Sequence, residues 1–166
     1  MKCRINGTIR HSFVDGPGCR YVIFTQGCTH NCLGCQNPAT HALEGGIETT
    51  TEEIIGNIMK ERFLDGVTLS GGDPLLQPAA CKAIADAVHE RGLNVWAYTG
   101  WTFEQLLTMG PEYVEALKSI DVLVDGPFIM QEQDPDLLWR GSRNQRLVRA
   151  RESVQLGHCV ELTKGD

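Results

Sequence analysis

No stretch of this 166-residue sequence approaches the roughly 18 consecutive apolar residues that a membrane span needs. Nor is there a basic excess. Fifteen Lys and Arg stand against 21 Asp and Glu, and a formal net charge of −6 removes the general electrostatic reason to expect nucleic acid as a partner. The opening residues, MKCRINGTIRHS, contain no apolar core of a secretory leader, so the cytoplasm is the expected compartment. Internal repeats, low-complexity tracts and linkers rich in Pro, Gly and Ser are also missing, and one domain over residues 1–166 is the simplest organisation. With 42% apolar and 22% charged residues, the composition is globular and the chain is long enough to bury a core.

A disulfide framework is a further absence. The seven cysteines are odd in number and three fall within eight residues, a pattern that in a reducing compartment favours metal ligation or catalysis. Cys3, Cys19, Cys81 and Cys159 are scattered and read as small buried hydrophobes. The clustered three lie in TQGCTHNCLGCQNP (25–38), where Cys28, Cys32 and Cys35 have the spacing C-x3-C-x2-C. A structural zinc would require a fourth ligand, for which His30, His41 and Cys19 are available. An iron–sulfur cubane takes one thiolate per iron, so three thiolates would leave one iron free to bind a substrate. The spacing alone is equally compatible with zinc and with a cluster.

Short β-branched runs alternate with amphipathic segments. RYVIFT (20–25), VTLS (67–70), LNVWAY (93–98) and DVLVD (121–125) read as strands buried on both faces, with LVRA (147–150) and CVEL (159–162) as weaker candidates. Thr50 and Glu53 form a capping box before a helix carrying Ile54, Ile55, Ile58 and Met59 on one face. Pro78 opens a second helix that ends at Gly92, Thr102 and Gln105 start a third, and Pro111 starts a fourth. Alternating strands and helices imply a parallel sheet, with the glycine-rich turns QGC, GGDP, TGW and GPF gathered at the strands' carboxyl ends, where such folds place their sites. A closed eight-unit barrel needs about 250 residues. The expected architecture is therefore an incomplete, laterally open (β/α) barrel of five to six units, with an open doubly wound sheet as the alternative.

The turn SGGDP (70–74) is ordinary in isolation. Its glycines also permit close backbone approach of a ligand, and Asp73 offers an acceptor for a cationic amine. Taken together, C-x3-C-x2-C after one strand and Gly-Gly-Asp after the next resemble the radical S-adenosylmethionine (radical SAM) superfamily. Further along, DGPG (15–18), CQNP (35–38), YTG (98–100), DVLVDGPF (121–128) and RGSRNQR (140–146) resemble, in order and over residues 5 to 162, the activating proteins of anaerobic ribonucleoside-triphosphate reductase.

The resemblance implies a [4Fe–4S] cluster on Cys28, Cys32 and Cys35, with SAM as the ligand of the open iron. Reductive cleavage of SAM would then yield a 5′-deoxyadenosyl radical that abstracts hydrogen from a glycine of the reductase catalytic subunit. It further implies cofactor contacts from Gly34, Cys35, Gln36, Gly71, Gly72, Asp73, Tyr98 and Asp125. Asp15, Gly16, Pro17 and Gly18 would meet the partner, and a flavodoxin-type protein would donate the electron. The rival readings are a sister activase of the pyruvate formate-lyase type, a small-molecule radical SAM enzyme such as a deazapurine synthase, and a zinc-binding module without chemistry.

Two departures from the family pattern stand out. Many superfamily members carry an aromatic residue just before the third cysteine, where this chain has Gly34, so adenine contact must come from backbone or from neighbours such as Gln36. WAYTG also lacks the aspartate that some activases carry, which leaves Asp125 as the polar contact from the fourth strand. Arg140, Arg143, Arg146, Arg149 and Arg151 read either as a solvated face or as an anion contact, to the SAM carboxylate or to an acidic partner surface. Trp96, Trp101 and Trp139 read as core or rim.

Overall fold

The computed structural model describes residues 1–163. Seven strands form one sheet: β1 (Lys2–Ser12), β2 (Arg20–Thr25), β3 (Ile47–Thr50), β4 (Gly66–Gly71), β5 (Asn94–Tyr98), β6 (Val122–Asp125) and β7 (Arg146–Val148). Their spatial order is β3-β1-β2-β4-β5-β6-β7. The four strands β2, β4, β5 and β6 are parallel, whereas β1 and β3 flank them on one side and β7 on the other in antiparallel pairing. The four parallel strands are the four buried runs visible in the sequence.

The parallel strands follow one another in space in chain order. That order lacks the reversal that defines a doubly wound sheet. With the right-handed crossovers usual for such units, it places the connecting helices on one face. The helices α1 (Thr51–Lys60), α2 (Pro78–Glu90), α3 (Phe103–Met109), α4 (Pro111–Leu117) and α5 (Ala150–Leu156) accordingly pack in one layer, α1 on α2, α2 on α4, and α4 on both α3 and α5. Tyr21, Ile23, Val67, Leu69, Val95, Ala97 and Leu123 point from the strands into this layer and build the main core with Ile58, Val88, Leu106 and Leu117. Burying each Val, Leu or Ile contributes about 1.5–3 kcal/mol. Alternate residues face the other way, and there Trp96, Val122 and Val124 form a second cluster edged by Tyr98 and Trp139.

The helix ends follow their sequence signals closely. Thr102 and Gln105 make a complete capping box, and Pro78 and Pro111 occupy first-turn positions. At α1 only half of the expected box forms. Thr50 accepts from the Glu53 backbone, but the Glu53 carboxylate takes its bond from Thr49 Oγ1 at 2.9 Å.

Two expectations, the unit count and CVEL, need correction, and the strand candidate LVRA holds. The parallel part of the sheet holds four strands among the described residues, not five or six units, and the sheet is open between β3 and β7. LVRA becomes the antiparallel edge strand β7, and CVEL contributes only an isolated antiparallel bridge from Glu161 to Val148. Finally, β1 and β3 carry no strand signal in the sequence. Only Cys3 and Ser12 of β1 are buried, so its outward faces are polar and it lacks the apolar alternation that marks a half-buried strand.

Candidate active site

The cysteine loop leaves the carboxyl end of β2 and is closed at its base. Gly27 N donates to Thr40 O at 2.7 Å and Cys28 N to His41 O at 3.1 Å, so both ends of the segment are tied together. Gln26 reinforces the closure through Nε2 to Ala42 O at 2.7 Å. The second motif is bonded to the first: Gly72 N donates to Thr25 O at 3.0 Å and Asp73 N to Gly27 O at 2.8 Å. Gly71 makes this possible, because its φ of +99° is left-handed and a Cβ there would collide with the Thr25 backbone.

Cys28, Cys32 and Cys35 line a cavity of about 560 Å³, shared with Gly71 at the end of β4, with Gly72 just after it and with Tyr98 at the end of β5. The opposite wall is formed by Phe128, Trp139 and Arg140, all beyond β6. Burial pushes the Cys28 thiol up, helped by the negative charges of Asp73, Cys32 and Cys35 and opposed by a backbone bond at His30. Ionising thiols beside a buried carboxylate would call for positive charge, which the iron of a cluster would provide. Zinc holds its sulfurs in one sphere of about 2.3 Å radius. A cubane spreads them over different irons. Cys19, one of the candidate fourth ligands, precedes β2 and is separated from the loop by its full six residues, roughly 20 Å. Cys19 is thus out of reach, whereas His41 Nε2 lies 3.2 Å from Cys35 Sγ.

Asp73 does not line the cavity. It is 1% exposed and saturated with donors. Oδ1 accepts from Leu75 N at 3.0 Å, while Oδ2 accepts from Thr99 Oγ1 and Gly100 N, each at 2.9 Å, and from His30 Nε2 at 2.5 Å. Asp125 is equally committed. It is also 1% exposed, caps α3 by accepting from Phe103 N at 2.8 Å, and pairs with Arg146 at 2.5 Å. Each carboxylate lies at the end of a parallel strand and fastens what comes next, so neither presents a free oxygen to the cavity.

Gln36 does line the cavity, whereas Gly34 does not. A Cβ at Gly34 would lie 2.7 Å from Met130 Sδ, so Met130 fills the space beside this position. Phe128 next to it supplies an aromatic face at the cavity wall. Of the DGPG turn, Asp15 lines the cavity and Gly16, Pro17 and Gly18 do not. The turn is held from beneath by Arg20, which is fully buried and donates from Nη1 to Pro17 O at 3.0 Å and from Nε to Thr68 Oγ1 at 2.7 Å. Thr68 passes the bond on to Asp15 O at 2.7 Å. Burial pulls the Arg20 guanidinium down to about 10. Tyr98, with burial and the Asp15 charge pushing its phenol up, stands across from this turn.

Three features of the site have no local signal in the sequence. His30 bridges the cysteine loop to Asp73 and stacks edge-on against Trp101 with centroids 4.5 Å apart. His41 Nε2 lies 3.2 Å from Cys35 Sγ. Phe128 and Trp139 reach the cavity from a segment with no periodicity to announce them.

Residues 14–148 match the family described as a 4Fe-4S single cluster domain. The chain belongs to that family. More narrowly, it is 39% identical to an anaerobic ribonucleoside-triphosphate reductase-activating protein of Vibrio cholerae over 145 residues, 82% of this chain and 91% of the relative. The protein of that name from Escherichia coli K12 is 37% identical over 141 residues (80% and 89%), and that of Enterobacteria phage T4 is 39% identical over 145 residues (81% and 86%). The chain is therefore a member of the anaerobic ribonucleoside-triphosphate reductase-activating proteins. Among solved structures, that of QueE from Escherichia coli is similar in fold, with a TM-score of 0.50 at 18% identity over 61% of this chain and 54% of the other.

Proposed function

We propose that this chain is a radical SAM activase that generates a glycyl radical on anaerobic ribonucleoside-triphosphate reductase. The observation that carries the reading is the shared cavity: three cysteines from one loop, a Gly-Gly turn bonded to that loop, and no fourth thiol beside them among the described residues. Cys28, Cys32 and Cys35 would hold a [4Fe–4S] cluster through one iron each. Gly71, Gly72, Gln36 and Tyr98 would position SAM, with Phe128 available to its adenine. When bound, the two supply one-electron reductive cleavage of the C5′–S bond and hydrogen abstraction, releasing 5′-deoxyadenosine and methionine.

The chain's own residues do the organising. Asp73 and His30 hold the cysteine loop against the β4 and β5 turns, and Asp125 with Arg146 holds the start of α3. We read the open sheet as an incomplete barrel of a single domain. Its unpaired side would let a protein partner complete the wall, with a glycine loop entering past residues 15–18. Glycine suits that role because it lacks Cβ and tolerates close approach. Exposed Val14 beside Asp15 and exposed Leu33 on the cysteine loop offer apolar contact for such a loop. A flavodoxin-type donor in a reducing cytoplasm would supply the electron. No helix among the described residues is long and apolar enough to cross a membrane.

Anaerobic reconstitution tests the metal. The protein should take up about four irons, and the EPR signal of its reduced cluster should change when SAM is added. Replacing Cys28, Cys32 or Cys35 with Ala should abolish SAM cleavage, whereas Cys3→Ala and Cys81→Ala should not. Stoichiometric zinc with no iron–sulfur absorption would sink the reading.

A further inference from the structure

The arginines of the 140–151 segment do different things. Arg146 is locked between Asp125 and Glu104. Arg149 reaches Glu152, and Arg151 contacts Lys118 O and His89. Arg143 is exposed and lies outside the cavity lining, and Arg140 differs from all of these. It spends one bond, from Nη1 to Gln145 O at 3.1 Å, although a guanidinium has five donors. Its Nε is buried with no acceptor, and among the described residues no carboxylate lies within ion-pair distance of it. It is also the one Lys or Arg that lines the cysteine cavity among the described residues.

The loop that carries Arg140 is built to hold it. Gln145 Oε1 accepts from Gly141 N at 2.8 Å and Ser142 N at 3.2 Å, while Gln145 Nε2 donates to Gly126 O at the end of β6. Gln133 and Ser142 form an antiparallel bridge across the loop. Trp139, immediately before Arg140, adopts a left-handed φ of +68°, a conformation that a bulky residue keeps only where its surroundings over-determine it. A second buried orphan, Asn144 Oδ1, lies in the same loop. Orphaned buried donors are rare, and a guanidinium that lines a cavity with no carboxylate in reach marks a place for an anion.

Resting on the functional reading above, we propose that Arg140 receives the carboxylate of SAM. The amino-acid end of SAM carries one anionic group and the cavity offers one free guanidinium. The planar fork suits a carboxylate better than an ammonium would. Because the loop fixes Arg140 in advance, little ordering is needed on binding.

Equilibrium binding to the anaerobically reconstituted protein tests this, with SAM and its decarboxylated analogue as probes and iron content and unfolding midpoint measured alongside. Arg140→Gln should weaken SAM binding by about ten- to a hundredfold, while binding of the decarboxylated analogue changes less than about twofold. Arg140→Lys should recover part of the SAM affinity by restoring the charge without the fork. An R140Q protein that binds SAM as wild type does, or that loses both ligands equally, overturns the inference. So does one that retains SAM affinity and loses only activation of the reductase, since Arg140 would then face the partner. A wild-type chain that binds neither probe overturns the functional reading itself and this inference with it.

Discussion

His30 Nε2 lies 2.5 Å from Asp73 Oδ2, which joins the middle of the cysteine loop to the turn after β4. The bond is one of four that engage the carboxylate of the Gly-Gly-Asp sequence within the chain. Asp73 accepts four hydrogen bonds and is nearly inaccessible, so it holds the site together from behind. Asp73→Ala would orphan donors from three segments, and a loss of about 3–5 kcal/mol of stability is expected from urea unfolding. An Asp73→Ala protein with an unchanged midpoint and a selective loss of SAM affinity would restore the direct-contact role.

Asp125 makes a parallel case. Removing its carboxylate leaves the Arg146 guanidinium and Phe103 N without their acceptor, although Glu104 still neutralises part of the charge. Asp125→Ala should cost about 2–4 kcal/mol in the same unfolding experiment while leaving the SAM dissociation constant within about twofold. A large loss of SAM affinity in a protein of normal stability would show that the carboxylate reaches the ligand after all.

How much of this was legible in the sequence follows from which forces act locally. The parallel strands were visible because both faces are buried and their residues are β-branched or aromatic, as in RYVIFT. The helix ends were visible because Thr102, Pro78, Pro111 and Gly92 act within one turn of themselves. The edge strand β1 was not, since its partners lie far along the chain and its surface is polar. The roles of Asp73 and Asp125 depend on what stands opposite them. Period-two alternation does place Asp125 on the same face as Leu123, toward the helices, and Tyr98 on the face of Trp96, toward the cavity. Nothing comparable points to His30 as the partner of Asp73, because that bond spans 43 positions and joins two loops.

His41 Nε2 sits 3.2 Å from Cys35 Sγ, where a donated N–H would stabilise the more negative, reduced state of a thiolate-bound cluster. A net hydrogen bond of about 0.5–1.5 kcal/mol corresponds to roughly 20–65 mV for a one-electron couple. Redox titration of His41→Phe should therefore find the potential lower by about that amount, with iron content unchanged. An unshifted potential would leave His41 a packing residue.

Cys28 supplies a pH dependence. Its thiol is pushed up in the folded chain, chiefly by burial, so the folded metal-free chain holds this proton more tightly than the unfolded chain does. The resulting stabilisation is fully present below the free thiol value of about 8.5 and is lost as pH rises through the higher folded value. In the metal-free protein, the unfolding midpoint of wild type should fall more steeply than that of Cys28→Ser across this alkaline range. Parallel slopes would mean that the thiol is as accessible to water in the folded chain as in the unfolded one.

The most direct measurement is EPR of the reductase after anaerobic incubation with the reconstituted protein, SAM and a low-potential reductant. A glycyl doublet should appear on the reductase, in step with release of 5′-deoxyadenosine, and should vanish when the receiving glycine is replaced by alanine. If no doublet forms while SAM cleavage couples to a small purine-like substrate without the partner, or if the organic radical persists in the alanine variant, the chain is not the activase of that reductase.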